Sequence, residues 1–153
     1  MTKIIIRSAR TSDLEALLSF EQSIIEYERP MCADMTENKF NYYSIEELIK
    51  SDDAQVVVAE HNGRTIAAGY AKIKKSRDYL THEYHSFLGF MFVSRDYRGK
   101  GINKLIIDEL KIWSREKGMT VCCLTVYDKN KSAIRAYQKI GFTNEIMEMR
   151  IAL

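Results

Sequence analysis

The residues with the clearest chemical potential lie in the stretch SRDYRGKGIN, from Ser94 to Asn103. Gly99 and Gly101 stand between an apolar run and a helical pattern, so the backbone can turn tightly there and bring several free N–H groups to one point. Such a group of amides, together with the positive end of a helix dipole, attracts phosphate. On this stretch alone, a helix-entry turn with solvated charges is an equally good interpretation.

Two other phosphate-binding motifs are excluded. A P-loop requires four residues between its first glycine and a Gly-Lys pair that is followed by Ser or Thr, and no such run occurs. A dinucleotide fingerprint would need a third glycine where Lys104 stands. The identity of an anionic ligand therefore depends on a second signature.

That second signature is NKSAIRAYQKIGF, from Asn130 to Phe142. In isolation, Asn130 is as well explained as a helix-entry residue, and Tyr137 is better explained as a core aromatic on an apolar helix face. Together, the two segments resemble the GNAT superfamily of N-acetyltransferases, whose acyl-CoA loop has contexts such as VxPxYRGxGIG and whose later segment has the pattern NxxAxxxYxxxGF. The resemblance covers essentially the whole chain.

The resemblance implies a fold and a set of binding residues. The expected fold is α/β of the α+β type, with a mixed, mostly antiparallel sheet, helices on both faces and splayed central strands. Main-chain amides from Arg98 to Lys104 would bind the CoA pyrophosphate, while main-chain groups of Met91 to Val93 would hold the pantetheine arm and the thioester carbonyl. The predicted acetyl-CoA-binding residues are Met91, Phe92, Val93, Arg98, Gly99, Lys100, Gly101, Ile102, Asn103, Lys104 and Asn130.

Tyr137 is the predicted catalytic residue. By resemblance it would protonate the departing CoA thiolate, and a phenol with an ordinary pKa of about 10 suits that role because it stays protonated at neutral pH. The predicted reaction is direct attack of a primary amine on acetyl-CoA, with no metal. Cys122 and Cys123 would be acylated nucleophiles only in a ping-pong scheme, and small apolar core residues are the preferred interpretation of both.

The chain also departs from the family pattern. Asp96 stands where Gln or Arg usually opens the pyrophosphate motif, Arg95 replaces a proline and Asn103 replaces Gly or Ala. Gly89 and Phe90 occupy the part of the central strand where the family often places an acidic general base. A non-catalytic acyl-CoA-binding or regulatory domain is therefore the alternative function.

No general base can be assigned from the sequence. Glu83 and His85 are the nearest titratable residues, and Glu28 lies in the helix-loop-helix that commonly covers the acceptor side. Each of the three is better explained, taken singly, as a surface residue. A free amine or a water chain would make a dedicated base unnecessary.

The charge distribution agrees with an anionic ligand. The net charge is only +2, but residues 1–80 sum to −2 and residues 81–153 to +4. The two basic clusters are Arg95, Arg98, Lys100 and Lys104, and Lys129, Lys131, Arg135 and Lys139. A net charge this small, in a sequence with neither an aromatic platform nor a helix-turn-helix, argues against a nucleic-acid partner.

The acceptor is less defined than the donor. Residues 21–60 contain ten acids and three bases, which hints at a cationic amine such as a polyamine, a lysine side chain or an aminoglycoside. Exposed acidic helices are the more ordinary interpretation. The acceptor itself, and the length of the acyl chain, are not determined.

Hydrophobic periodicity predicts the order β-α-α-β-β-β-α-β-α-β in one domain over residues 1–153. Asn62-Gly63 predicts a tight hairpin, and the spacing of apolar residues from Ile102 predicts a helix. Phe87 to Val93 is predicted as a buried central strand, MTVCCLTV as another buried strand, and FTNEIMEMRIAL as a final strand or strand pair. The start MTKIIIRSAR fits neither a signal peptide nor a membrane span, so no membrane partner and a cytoplasmic location are predicted. A homodimer is implied by the family resemblance.

Overall fold

A five-stranded sheet forms the centre of the protein, whose computed structural model describes residues 2–153; of the predicted domain, only Met1 lies outside this range. The strands are β1 Ile5–Ser8, β2 Ala54–His61, β3 Arg64–Lys75, β4 Tyr84–Val93 and β5 Cys122–Cys123. The helices are α1 Leu14–Glu28, α2 Ile45–Lys50, α3 Ile102–Glu116 and α4 Lys131–Ile140. Strand order follows the sequence, with β1 to β4 antiparallel and β5 parallel to β4. The predicted mixed sheet is confirmed.

Helices cover both faces of this sheet, as the fold class requires. On one face, α3 buries Ile106 and Leu110 against the strand residues Val57 and Leu88. On the other face, α1 and α2 bury a second apolar cluster that includes Leu17 and Ile45. Burial of these two stripes explains why α1 and α3 are amphipathic. Among residues 2–153, no helix is long and apolar enough to cross a membrane.

The start of the chain is fixed by a buried charge network. Arg7 on β1 donates to both oxygens of Asp13, at 2.8 and 2.9 Å, and its Nε donates to Glu60 on β2 at 2.8 Å. Asp13 is buried and also accepts from the Thr65 hydroxyl. These donors hold the pKa of Asp13 at about 2, below its ordinary value. The network joins β1, β2, β3 and the entry to α1.

The central strands splay apart. β4 and β5 pair only through Ser86 with Cys122 and Phe87 with Cys123. Beyond these two pairs β4 continues to Val93, whereas the chain after Cys123 leaves the sheet. The opening between them exposes main-chain groups of the second half of β4, as the family resemblance implies.

Two predictions about the last third of the chain need correction. The segment MTVCCLTV contains a strand of only two residues, half-buried rather than buried, because β5 separates from β4 after Cys123. Residues 143–153 form no strand, although their apolar residues alternate. A strand requires a neighbour for its backbone groups, and no described backbone group is hydrogen-bonded to this segment.

Candidate active site

The splayed strands open into a cleft of about 1640 Å³. Its walls are formed by the second half of β4, the loop into α3, the face of α4, and the α1–α2 region. All predicted binding residues except Lys100 line this cleft, and so does the predicted acid, Tyr137. The structure therefore brings together two sequence signatures that are more than 25 residues apart in the chain.

The glycine loop has the geometry of an anion cradle. Gly99 and Gly101 have φ values of +74° and +76°, a region that other L-residues rarely adopt. A Cβ added at either position would meet no atom within 4 Å, so backbone conformation, not crowding, favours glycine. The first capping bond of α3 runs from the Leu105 N–H to the Gly101 carbonyl. The backbone N–H groups of residues 99–104 have no backbone partner among the described residues, as an anion site at a helix start requires.

Two of the predicted cradle residues behave differently from their neighbours. The N–H of Arg98 donates to the Arg95 carbonyl at 3.3 Å, so this amide is already used inside the loop. The Arg98 side chain instead donates from Nε to the Val93 carbonyl at 3.0 Å. Lys100 is exposed, and its Nζ lies 5.3 Å from the centre of the Tyr97 ring. The free amides thus begin at Gly99 rather than at Arg98.

A bulge in β4 shapes the wall next to this loop. Ala68 pairs with Phe92 and Tyr70 with Gly89, so Gly69 of β3 lies opposite two residues of β4, Phe90 and Met91. Phe90 has a φ of +57°, which is uncommon for a bulky residue. The bulge re-aims the backbone of β4 where it borders the cleft. This feature has no local sequence signal, because it depends on the register between two strands.

The structure explains why β4 carries no acidic base. A Cβ added at Gly89 would come within 2.6 Å of the Tyr70 ring, closer than real Cβ contacts allow. The side chain of Phe90 is buried in the cluster under α1 and α2. Both residues line the cleft, but a side chain at Gly89 would have to displace the Tyr70 ring, and the side chain at position 90 packs into this cluster.

Tyr137 lines the cleft from the middle of α4. Its ring packs edge-to-face against Phe142, with 5.8 Å between ring centres. Partial burial of its side chain and the negative charge of Glu28 raise the pKa of Tyr137 to about 12. The phenol therefore stays protonated across the neutral range and can act as a proton donor.

Asn130 combines both of its interpretations from the sequence. Its side-chain oxygen accepts from the N–H of Ala133 at 3.3 Å, so Asn130 is the N-cap of α4. It also lines the cleft. Its side-chain NH2 group has no hydrogen-bond partner among the described residues, which leaves two donors for a ligand.

Glu28 is the one base candidate of the three that the described structure places in the cleft. It stands at the end of α1 and accepts a hydrogen bond from the Tyr42 hydroxyl at 3.1 Å. Burial raises its pKa above the ordinary value, and the hydrogen bond opposes that rise. Glu28 and Tyr137 line the same cleft, and the charge of Glu28 contributes to the raised pKa of Tyr137.

The other titratable candidates lie elsewhere. His85, at the start of β4, has its Nδ1 2.9 Å from the Ser76 hydroxyl, and Glu83 belongs to a separate shallow depression over residues 75–83. Cys122 and Cys123 do not line the cleft, and burial raises the pKa of Cys123, which disfavours a thiolate. These placements argue against the ping-pong scheme.

Several aromatic residues of the cleft were not singled out from the sequence. Tyr42, Tyr43 and Tyr127 line it, and Tyr43 packs edge-to-face on both Tyr70 and Phe90 at 5.2 and 5.7 Å. The backbone N–H of Tyr43 donates to the fully buried carboxylate of Glu21 at 2.8 Å. The sequence signal that could have identified the first two is the Tyr42-Tyr43 pair inside an irregular, acidic stretch. Glu21 thus fixes the position of Tyr43 in the wall formed by the α1–α2 region.

The donor set has no metal-site character. Within residues 2–153, no group of three or more His, Cys, Asp or Glu side chains is arranged to hold a metal ion. The cleft instead offers free main-chain amides, two unused amide donors on Asn130, and a phenol. This set fits a phosphate group and an amide-bearing arm.

This combination of splayed sheet, amide cradle and cleft phenol defines a class of acyl-CoA-dependent transferases, and comparison with known proteins agrees. Residues 18–142 match the family model described as "Acetyltransferase (GNAT) family". The chain belongs to the GNAT family of acetyltransferases.

Individual relatives are distant in sequence. The chain is 25% identical over 137 residues to "L-amino acid N-acyltransferase MnaT" of Escherichia coli, covering 90% of this chain and 78% of that protein. A variant of the BH1408 protein from Bacillus halodurans superposes with a TM-score of 0.86 at 19% identity, covering 97% of this chain and 99% of that one. A "predicted acetyltransferase with acetyl-CoA" from Clostridium acetobutylicum gives 0.72 at 17% identity, covering 98% and 96%. These structures share the fold.

Proposed function

We infer that this protein transfers an acetyl group from acetyl-CoA to a primary amine by direct attack. The observation that carries the proposal is the shared cleft, in which glycine-loop residues 99 and 101–104, whose backbone amides are free, border one space with the open edge of β4 and Tyr137. The acetyl-CoA in the Clostridium acetobutylicum structure of the same fold supports acetyl-CoA as the donor. A cytoplasmic location stays a prediction.

In the proposed complex, the amides from Gly99 to Lys104 bind the pyrophosphate of acetyl-CoA, helped by the N-terminal dipole of α3. Main-chain groups of Met91 and Val93 and the free NH2 group of Asn130 bind the pantetheine arm. This places the thioester carbonyl beside the β4 bulge, where a backbone N–H can stabilise the oxyanion. The Arg98 contact to the Val93 carbonyl fixes the end of this wall.

The bond changes then require one proton acceptor and one proton donor. A neutral amine attacks the thioester carbonyl to form the C–N bond, the tetrahedral adduct collapses, and the C–S bond breaks. Tyr137 gives its proton to the departing thiolate, and the second proton lost by the nitrogen returns to the Tyr137 phenolate, so that the products are the amide and the CoA thiol. We assign Glu28 as the group that takes the proton from the arriving ammonium ion, because it lines the same cleft as Tyr137 and its raised pKa makes it a stronger base.

The same carboxylate gives the acceptor a chemical description. Glu28 sits among Tyr42, Tyr127 and Tyr137, so the site suits a cationic amine attached to an apolar or aromatic-compatible group. Similarity to the L-amino acid N-acyltransferase of Escherichia coli makes α-amino acids one arm of the substrate search, beside polyamines, lysine peptides and aminoglycosides.

The test is a thiol-release assay with acetyl-CoA against these four amine classes. Tyr137→Phe should lower kcat by about 10²- to 10⁴-fold with CoA affinity unchanged, the range for loss of a general acid. Tyr79→Phe, at an exposed tyrosine outside the cleft, is the matched control and should leave kcat unchanged. Full activity of Tyr137→Phe would refute the assigned acid.

Glu28 is tested by pH dependence. Its raised pKa predicts that kcat/KM falls on the acid side at a higher pH than an ordinary carboxyl group would give, since only the carboxylate can accept the proton. Glu28→Gln should remove this acid limb and lower kcat/KM, whereas Asp34→Asn, at an exposed acid of the loop that follows α1, should keep it. An unchanged profile in Glu28→Gln would exclude Glu28 as the base.

The second candidate function is a non-catalytic acyl-CoA-binding domain. It is favoured by one observation: the two positions of β4 where the family often places an acid are Gly89, where an added Cβ would lie 2.6 Å from the Tyr70 ring, and Phe90. Tight CoA binding without thiol release across all four amine classes would support this alternative over the transferase.

A further inference from the structure

The cleft is bordered by two lysines that the acetyl-transfer proposal does not use. Lys72 and Lys74, from the second half of β3, line it together with Phe87 of β4. Alternate residues of a strand share a face of the sheet, so both lysines lie on the face that carries Tyr70. Tyr70 and Phe87 belong to the apolar cluster under α1 and α2. The two ammonium groups therefore border the part of the cleft that lies under these helices.

Neither lysine has a partner within the described chain. The lysines whose ammonium group donates a hydrogen bond to a described group are Lys50, Lys104 and Lys131. Glu47, in the first turn of α2, also lines the cleft, but no carboxylate of residues 2–153 forms an ion pair with Lys72 or Lys74. One acid beside two lysines leaves this part of the cleft with an excess of positive charge.

The ammonium group of Lys74 is held in place by an aromatic ring. Its Nζ lies 3.7 Å from the centre of the Phe87 ring, which is a favourable cation–π contact. Partial burial and the positive charge of Lys72 lower the pKa of Lys74 below its ordinary value. An anion bound between the two ammonium groups would offset this repulsion and would supply the partner that the chain lacks.

The lysines and the glycine loop lie on opposite sides of the β4 bulge. β4 leads at Val93 into the glycine loop. The register of β3 with β4 places Lys72 opposite Phe87, on the other side of the bulge at Phe90. An anion at the lysines is therefore not the pyrophosphate of acetyl-CoA, which the proposed complex holds at the glycine loop. It belongs to the acceptor.

The length of this acceptor follows from positions along β4. The proposed thioester carbonyl lies beside the bulge at Phe90, and the Lys74 ammonium lies over the ring of Phe87, three residues earlier. At about 3.3 Å per residue, these positions are roughly 10 Å apart. Contact distances at both ends leave about 6–10 Å between the amine and the anion. The carboxylate of an α-amino acid is too close to its own α-amine to span this distance.

We propose that Lys72 and Lys74 bind a carboxylate or phosphate group of the acceptor, at the end remote from the amine that is acetylated. The acceptor is then a zwitterion, whose ammonium group meets Glu28 and whose anion meets the two lysines. Polyamines and aminoglycosides fit this end of the cleft poorly, because they would bring further positive charge to it. The inference rests on the proposed acetyl transfer, which places the amine beside the bulge.

The first test compares amines of equal length in the thiol-release assay. The probes are 6-aminohexanoate, hexylamine and 1,6-diaminohexane, with glycine as a short zwitterion. We expect kcat/KM for 6-aminohexanoate to exceed that for each of the others by about 10- to 100-fold, the effect of one or two charge-assisted hydrogen bonds. 5-Aminopentyl phosphate distinguishes a phosphate from a carboxylate as the preferred anion. Equal or better turnover of hexylamine or the diamine would overturn the proposal.

The second test removes the two charges. Lys72→Gln/Lys74→Gln should raise KM for 6-aminohexanoate by about 10- to 100-fold and leave KM for hexylamine and the affinity for CoA unchanged. Lys75→Gln is the matched control, because Lys75 is exposed on the other face of β3 and does not line the cleft. Equal losses with both amines, or an unchanged KM for 6-aminohexanoate, would overturn the assignment.

Reversal of one charge gives a stricter form of the same test. Lys74→Glu should change the preferred acceptor from 6-aminohexanoate to 1,6-diaminohexane, because the new carboxylate pairs with the remote ammonium group of the diamine. A variant that loses activity toward both compounds equally would show that Lys74 acts on the fold of the cleft and not on the anion, and would overturn its role.

A binding measurement separates this inference from the acetyl-transfer proposal. Calorimetric titration of 6-aminohexanoate into the CoA-saturated protein should show binding to the native chain, weakened by about 10-fold or more in Lys72→Gln/Lys74→Gln. Such binding without thiol release would support the anion site and refute the transferase. No binding to the native chain, or equal binding to the double variant, would overturn the anion site even where thiol is released.

Discussion

The regions of this protein before and after residue 115 differ in how completely they are packed. Up to Ser114, the strands pair along most of their length, charges such as Asp13 are buried with partners, and two apolar clusters fill both faces of the sheet. From residue 115 to residue 153, no residue is buried and the only strand has two residues. The first part supplies its own packing, whereas the second part leaves apolar surface open.

The cleft lies on the boundary between these two regions. The amide cradle belongs to the well-packed part, because Ile102 and Ile106 anchor the start of α3 in the core. Tyr137 belongs to the sparsely packed part, on a helix without buried residues. The difference indicates that the proposed acetyl-CoA site is held in place by the packed core. The position of Tyr137, the proposed acid, instead depends on how α4 is supported.

Truncating one leucine in each region should give the largest difference in stability between the two regions. Leu110→Ala should lower the free energy of unfolding by about 2–5 kcal/mol, because Leu110 is fully buried in the cluster under α3. Leu124→Ala removes the same atoms from a half-buried site and should cost about 1 kcal/mol. Chemical denaturation of both variants measures the difference, and equal losses would remove the distinction between the regions.

Acid should weaken the first region through Asp13. Its folded pKa of about 2 lies below the ordinary 3.8, so its stabilisation is present above about pH 4 and is lost as the pH falls toward 2. Asp13→Asn should therefore cost about 2 kcal/mol at pH 7 and much less at pH 2. Asp128→Asn, which removes an exposed carboxylate of the second region, is the control variant. Denaturation midpoints of both variants over pH 2–7 provide the measurement.

The exposed ion pair of the second region should contribute least. Lys131 lies 3.2 Å from Asp128, with both side chains largely in solvent. Lys131→Ala should change the free energy of unfolding by less than about 0.5 kcal/mol, and added salt should abolish the effect. A loss above 1 kcal/mol would show that the start of α4 carries more stability than its exposure indicates.

Local signals were sufficient for most of the fold. Asn62-Gly63 predicted the β2–β3 hairpin, and the spacing from Ile102 predicted α3, since turn chemistry and helical period act over a few residues. The strand predicted over the last residues was wrong. An alternating pattern shows which side chains would share a face of a strand, but it does not supply a neighbouring strand for the backbone to pair with. The bulge at Phe90 was missed for a similar reason, since register is a property of two strands.

The candidate site shows the same limit. Gly99 and Gly101 indicated a cradle because a positive φ is a local requirement. Glu28 was not distinguished from Glu83 and His85, because its position depends on α1 continuing past Glu21, where the hydrophobic pattern becomes irregular. Proximity to Tyr137 is visible only after the sheet has brought α1 and α4 to one cleft.

The left-handed backbone conformation of Phe90 connects the proposed positions of the two substrates. Its backbone forms the β4 bulge beside the proposed thioester, whereas its ring packs against Tyr43 on the proposed acceptor wall. In the proposed complex, an acceptor that displaces Tyr43 would therefore act on the residue that sets the direction of the proposed oxyanion donor. Any coupling transmitted through Phe90 must be equal in both directions, so whatever acceptor binding does to donor affinity, donor binding does to acceptor affinity.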